Sequence, residues 1–392
     1  MNKEPIISGL DNLRIYDAHT HLTGSRLCAA DFWEIVHYFW FLRELQGAGY
    51  PDEYDSIAED KRIEAFLPAY GKTKGTGMHY AVKHIFKDLY DLELTDKKSV
   101  YDAIDRVKHS SSNVNWAREV TDRLNIKNII VNNEEDKNFT GLDGVSVWFP
   151  RIDNWLNSAA QRINESGTKA RIAETEKNEL LKYLSVCCGK GARALGTSLG
   201  SFNSITWQES GEGFTGIDDC YIYLLNAVCS FAEQKGLGIQ LFLGVEYNRF
   251  FGDAAPVDNN RRILNLYGLF DKYKIKFDLI AGTEASNMDV VQAAHIFRNV
   301  YTGGLWWFNF RPSTYTDAMA KRFEVLASNK SYLSISDSRC IEWCYGKNTL
   351  IKKLAGDFLS AKIEDGYINN EEALEIAYDW FYEVPKTLYG TG

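Results

Sequence analysis

The feature that most restricts how this chain can fold is a repeated alternation of short apolar runs with longer amphipathic stretches. Runs that read as strands fall at residues 15–18, 126–132, 144–150, 192–196, 238–245, 276–281, 299–306 and 332–336. They are too short for buried helices, and most are bounded by Gly, Asn or Lys. Helical patterning fills 151–166, 174–189, 218–235, 259–274, 288–299 and 316–327 between them. Strands alternating with helices build a parallel sheet with helical crossovers. Eight such units in 392 residues predict an α/β fold, a closed (β/α)8 TIM barrel, over residues 1–392 as one domain. No Gly-X-Gly-X-X-Gly or phosphate-binding loop follows any strand, and no repeat or low-complexity segment interrupts the pattern.

The first crossover is too long to be one helix. Residues 31–120 lack a clear strand and read as a helical insertion within the barrel. Asp31 to Leu42 carries apolar residues at steps of three and four, with Asp31 as N-cap and Gly47 and Gly49 as terminators. Further helices follow, separated by the loop from Gly71 to Gly77.

Composition narrows the function. The chain is 45% hydrophobic and 25% charged, the balance of a globular protein with a large core. Its net charge of -9, without a basic run, argues against nucleic acid as a partner. No stretch approaches twenty apolar residues, so no membrane span is expected. The start, Met1-Asn2-Lys3-Glu4-Pro5, lacks the apolar core of a signal peptide. Seven scattered cysteines form no disulfide framework; Cys187-Cys188 and Cys340-X3-Cys344 read as buried thiols ahead of metal ligands. The compartment expected is the cytoplasm. The insertion and the aromatic content of 14% are compatible with a homo-oligomer.

In a barrel of this kind the chemistry sits at the carboxyl ends of the strands. Those ends carry His19/His21, Arg151/Asp153, Glu246/Asn248, Trp306/Trp307/Asn309 and Asp337/Arg339. Side chains two apart on a strand share a face, so His19 and His21 can offer two imidazoles to one divalent metal. Alone, such a pair reads equally well as two hydrogen-bonded histidines. The first and last strands of a closed barrel are neighbours, which brings Asp337 within reach as a third ligand. The competing reading of Asp337 is an N-cap for a helix starting near Cys340. Guanidinium groups at two separate strand ends, Arg151 and Arg339, point to an anionic small-molecule substrate.

These residues together resemble the uronate (glucuronate) isomerase family, a branch of the amidohydrolase superfamily. Asp17-Ala18-His19-Thr20-His21-Leu22 is similar to its Asp-X-His-X-His-Leu. His37-Tyr38, with Trp40, Arg43 and Gly49 following, resembles its His-Tyr-X-X-Arg helix. Arg151-Ile152-Asp153 resembles Arg-Pro-Asp, and Gln240-Leu241-Phe242-Leu243-Gly244 resembles Gln-Leu-His-X-Gly. Trp306-Trp307-Phe308-Asn309 and Asp337-Ser338-Arg339 complete an ordered set from residue 17 to about 355.

The resemblance implies aldose–ketose isomerisation of a glucuronate- or galacturonate-type sugar acid through an enediol(ate). It assigns one divalent metal, zinc or manganese, to His19, His21 and Asp337. Asp337 or a tyrosinate at Tyr38 would move the proton, and His37 would hydrogen-bond the reacting oxygens. Arg151, Arg339, Trp306 and Trp307 would hold the substrate. Phe242 departs from the pattern, standing where the family has histidine, and Leu195-Gly196-Thr197-Ser198 replaces its Asp-His-Gly. Beyond His109 the only histidine is His295, which counts against a two-metal hydrolase. The alternatives are a mononuclear amidohydrolase or deaminase, suggested by His19-Thr20-His21-Leu22-Thr23-Gly24, and a non-catalytic barrel that binds sugar acids.

Overall fold

The computed structural model describes residues 9–24, 26–132, 139, 141–199, 210–248, 253–256, 262–307 and 310–390. Its strands are β1 (Ile15–Thr20), β2 (Ile126–Val131), β3 (Ser146–Trp148), β4 (Ala194–Ser198), β5 (Gly238–Leu243), β6 (Val245–Asn248), β7 (Asp253–Pro256), β8 (Phe277–Ala281) and β9 (Val300–Thr302). Parallel pairing runs β1–β2–β3 in one sheet and β4–β5–β8–β9 in another. Isolated parallel bridges join the sheets at both seams: Arg151 with Gly196, then Thr302 with Ser331 and Thr20 with Ser338. The ring of parallel segments is therefore the (β/α)8 TIM barrel that the alternation predicts.

Its eighth member differs from expectation. Residues 332–336 form no ladder, and polar side chains hold the segment instead. The Asp17 carboxylate accepts the Ser336 N–H at 2.9 Å and the Asn348 amide at 2.9 Å. Backbone bonds from Ala18 N to Ser334 O and from Asp337 N to His19 O complete the seam. A second difference is the antiparallel hairpin of β6 and β7. Gly244, at φ +89°, ends β5, and a Cβ there would meet Thr283 at 2.9 Å.

Inward side chains fill the barrel, among them Tyr16, Ala18, Ile130, Val147, Ala194, Phe242 and Ile280. Leu388 and Tyr389, from the short helix Val384–Tyr389, pack into the same cluster. Among them sits a buried polar network. The Gln240 amide donates to Ala18 O at 3.1 Å and to Tyr389 Oη at 2.8 Å. Tyr332 donates to Asp278 Oδ2 at 2.6 Å, and Tyr389 donates to the same oxygen. Burial, partly offset by these bonds, pushes the Asp278 carboxyl up to about 6.

The helical insertion lies between β1 and β2, from Phe32 to Arg123. The helix expected from Asp31 to Leu42 is broken. One helix, Phe32–Val36, starts at the Asp31 cap, and a second, Phe39–Gly47, follows after a turn at His37 and Tyr38. The apolar periodicity is real on both sides of the break, which is why it reads as continuous. Buried Glu342, on the helix Ile341–Glu364, ties the insertion to the barrel by accepting from Ala29 N, Tyr90 Oη and Trp116 Nε1. All seven cysteines are free thiols. Among the described residues no helix is long and apolar enough to cross a membrane.

Candidate active site

His19 and His21 leave the carboxyl end of β1 and meet Asp337 across the seam. Asp337 Oδ1 lies 3.2 Å from His19 Nε2 and 3.1 Å from His21 Nε2. All three donor atoms fall within 4.8 Å of one another, the one such His, Cys, Asp or Glu group among the described residues. The helix Ile341–Glu364 takes Cys340 as its N-cap, so Asp337 is not the cap of the competing reading.

The site is electrostatically divided. His19 is fully buried; burial lowers it to about 4 against the opposing pull of Asp337, so its imidazole is neutral at pH 7. Burial by itself would raise Asp337, but the two histidines outweigh it and hold the carboxyl well below its ordinary value. A neutral imidazole and an ionised carboxylate are the states that ligate a metal. His19 Nε2 and Asp337 Oδ1 are buried and face no polar partner beyond this group itself, as expected of atoms shaped around a cation. The Asn132 carboxamide meets the other ring nitrogen, Nδ1. With its oxygen turned to accept that N–H, an equivalent amide orientation, Nε2 keeps its lone pair for a metal. The residues present therefore fit one divalent ion, and the 42% exposure of His21 leaves its outer side open to solvent.

The break at His37–Tyr38 sends its two residues to different places. Tyr38 is buried, and its hydroxyl donates to the Asp337 carbonyl at 3.0 Å. Burial, then Asp337, raises the phenol well above its ordinary value, so it is protonated at neutral pH and not a tyrosinate. His37 instead shares a hydrogen bond with Tyr50 Oη at 2.9 Å and packs its ring 4.2 Å from Tyr54. With Tyr38 and the exposed Arg339 it lines a cavity of about 510 Å³ that also takes in Arg26, Arg62 and Glu34.

Arg151 is already engaged. Its Nε and a terminal nitrogen each contact the Asp153 carboxylate at 2.7 Å, and the latter nitrogen also donates to Ser198 Oγ at 2.7 Å. The guanidinium lies 4.7 Å from the centroid of the Phe242 ring. Trp306 is nearly buried and sits edge-on to Phe242 at 4.9 Å. Trp307 packs against Trp40 at 5.2 Å. Trp307 and Asp337 are two of four non-glycine residues with positive φ among the described residues, at 54° and 51°. Such backbone clusters where surrounding structure over-determines it, as at functional sites. Phe308 and Asn309 lie outside the described residues, as do the side chains of Glu246 and Asn248.

One residue at the site is absent from the sequence reading. Lys347 is 1% exposed, and its ammonium donates to Tyr38 Oη and to Ser336 O, both at 2.7 Å. The signal was present: Lys347 interrupts the stripe of Cys344 and Ile351 at helical steps of three and four.

The ring of parallel segments carries the His-His-Asp group at its carboxyl end, which defines a (β/α)8 barrel with a candidate metal-holding group. Its fold is that of the uronate isomerases. The chain superimposes on uronate isomerase from Thermotoga maritima with a TM-score of 0.83 at 17% identity, over 99% of this chain and 97% of that one. For uronate isomerase from Bacillus halodurans C-125 the values are 0.81 and 16%, over 100% and 96%. For glucuronate isomerase from Caulobacter crescentus they are 0.78 and 15%, over 99% and 93%. No protein-family model and no curated protein sequence matches the chain.

Proposed function

We propose that the protein is a divergent, cytoplasmic uronate isomerase that interconverts the aldose and ketose forms of a glucuronate- or galacturonate-type sugar acid. The observation that carries this reading is the His19–His21–Asp337 group, bonded to Tyr38 and held at the carboxyl end of a uronate isomerase fold. Chemically, the proton on carbon 2 moves to carbon 1 while the hydroxyl proton moves between the two oxygens.

Asp337, kept ionised by its histidines, is the base that removes the carbon-2 proton and returns it to carbon 1. Tyr38, kept protonated, serves as a hydrogen-bond donor beside it. A divalent ion on His19, His21 and Asp337, zinc or manganese, would supply a Lewis acid for the carbonyl oxygen. Arg339, exposed at the rim, grips the substrate carboxylate. Arg151, neutralised by Asp153, orients rather than attracts. Trp306 and Trp307 form the apolar wall, and His37 lines the approach from the cavity side.

The test is incubation with D-glucuronate and D-galacturonate in the presence of added zinc or manganese. The expected product is a keto-uronate, and Asp337→Asn abolishes its formation. Ammonia release from an amine substrate, with no uronate turned over, would replace this reading with a deaminase. A second reading is favoured by the Arg151–Asp153 pair and by Phe242 over His19: a barrel that binds sugar acids without catalysis. It is distinguished by calorimetric binding of a uronate without solvent-proton exchange at carbon 2.

A further inference from the structure

The ammonium of Lys347 is buried in a place where an apolar side chain would fill the helix stripe at lower cost. Its surroundings are two oxygens and two ring faces: Tyr38 Oη, Ser336 O, and the rings of Tyr38 and Phe310 at 4.7 and 4.8 Å. An ammonium has donors only. The Tyr38 oxygen therefore accepts from Lys347, and its single proton is left for the Asp337 carbonyl, which it meets at 3.0 Å. Lys347 thus holds the Ser336 carbonyl directly and the Asp337 carbonyl through Tyr38. Between those carbonyls lies the Asp337 backbone, at φ 51°, a conformation that costs about 1–3 kcal/mol when nothing supports it.

We infer that Lys347 is a positioning residue whose clamp on Tyr38 and Ser336 fixes the left-handed turn that delivers the Asp337 carboxylate to His19 and His21. This rests on the isomerase reading for its consequence in catalysis, but not for its consequence in metal binding. Relaxation of the turn toward ordinary backbone swings the carboxylate away from the histidines. The ligand set then loses its third member while the barrel stays folded.

The experiment compares the native chain with Lys347→Met, which keeps length and removes the charge, and with Tyr38→Phe, which removes the middle link. Zinc affinity is read by competition with a chromophoric chelator, fold by circular dichroism, and kcat and KM with the active uronate. Zinc affinity is expected to fall about 10- to 100-fold in each single variant, the range seen when groups that orient metal ligands are removed. The double variant falls well short of the product of the two single losses, because both substitutions act on the same clamp. The loss appears in kcat, with KM changed less than about threefold. Folded Lys347→Met with native zinc affinity, or a double variant whose losses multiply, overturns the clamp. If Lys347→Met does not fold, native zinc affinity in Tyr38→Phe overturns it as well. A native protein that takes up zinc and turns over no uronate removes the proposed activity and leaves the zinc comparison to decide the clamp. A native protein that takes up no zinc overturns both.

Discussion

The phenyl ring of Phe242 lies 4.5 Å from the imidazole of His19, centroid to centroid. The guanidinium of Arg151 lies 4.7 Å from the same ring centroid. A ring without donors or acceptors thus packs against fully buried His19 and against a cation at once.

Phe242→His places a third imidazole beside His19. The expected result is tighter zinc binding, by on the order of tenfold, the size of effect that changes around a metal site produce. Chelator competition measures it directly. Unchanged affinity would mean that position 242 does not face the metal.

Arg151 and Asp153 are each less than one-fifth exposed and bonded twice. Removing either alone strands a charge in a poorly hydrated place, so Arg151→Ala and Asp153→Ala should each cost about 3 kcal/mol or more. The double variant should cost clearly less than the sum. Urea denaturation of the four proteins completes the cycle, and additive losses would show that the pair is not coupled.

Asp278 sets a pH dependence. Its folded value of about 6 lies above the ordinary 3.8, so the folded chain holds this proton longer than the unfolded chain. Its contribution to stability is fully present below the ordinary value and is lost as pH rises through 6. The difference is roughly 3 kcal/mol. Asp278→Asn, neutral at every pH, should lack this loss. Melting curves of both proteins at pH 4, 5, 6 and 7 should therefore diverge in favour of the variant as pH rises. Parallel curves would rule the effect out.

Two glycines predict opposite signs. A Cβ at Gly304 would lie 2.6 Å from the Leu333 carbonyl oxygen, so Gly304→Ala should destabilise by about 1–3 kcal/mol. Gly71 lies in the helix Glu59–Lys72 with nothing within 4 Å, so Gly71→Ala should stabilise by about 0.4–1 kcal/mol. Chemical denaturation distinguishes them. Equal effects would show that packing does not decide either site.

Elements fixed by local pattern were legible in the sequence. The first seven strand runs became strands, because a buried parallel strand is a continuous apolar run. The His19, His21 and Asp337 group was legible because strand periodicity and barrel closure are simple geometry. What was not legible depends on partners distant in sequence. The break at His37–Tyr38 carries no proline or glycine, and the turn is held by Tyr38 bonding to Asp337. The engagement of Arg151 by Asp153 was hidden because an arginine at a strand end looks the same whether paired or waiting for substrate. Residues 332–336 read as a strand from their composition, yet they are held through Asp17 and Asn348 rather than by a ladder.

That seam has a consequence for how the protein comes into being. Asp17 and Ser336 are 319 residues apart in sequence, and their bond lies beside the histidines and Asp337. A nascent chain emerging from the ribosome carries His19 and His21 early, but has no third ligand until most of the polypeptide has been made. Cations met during synthesis therefore find an incomplete binding set. On the proposed reading, loading with metal would then be a late event in the making of the chain.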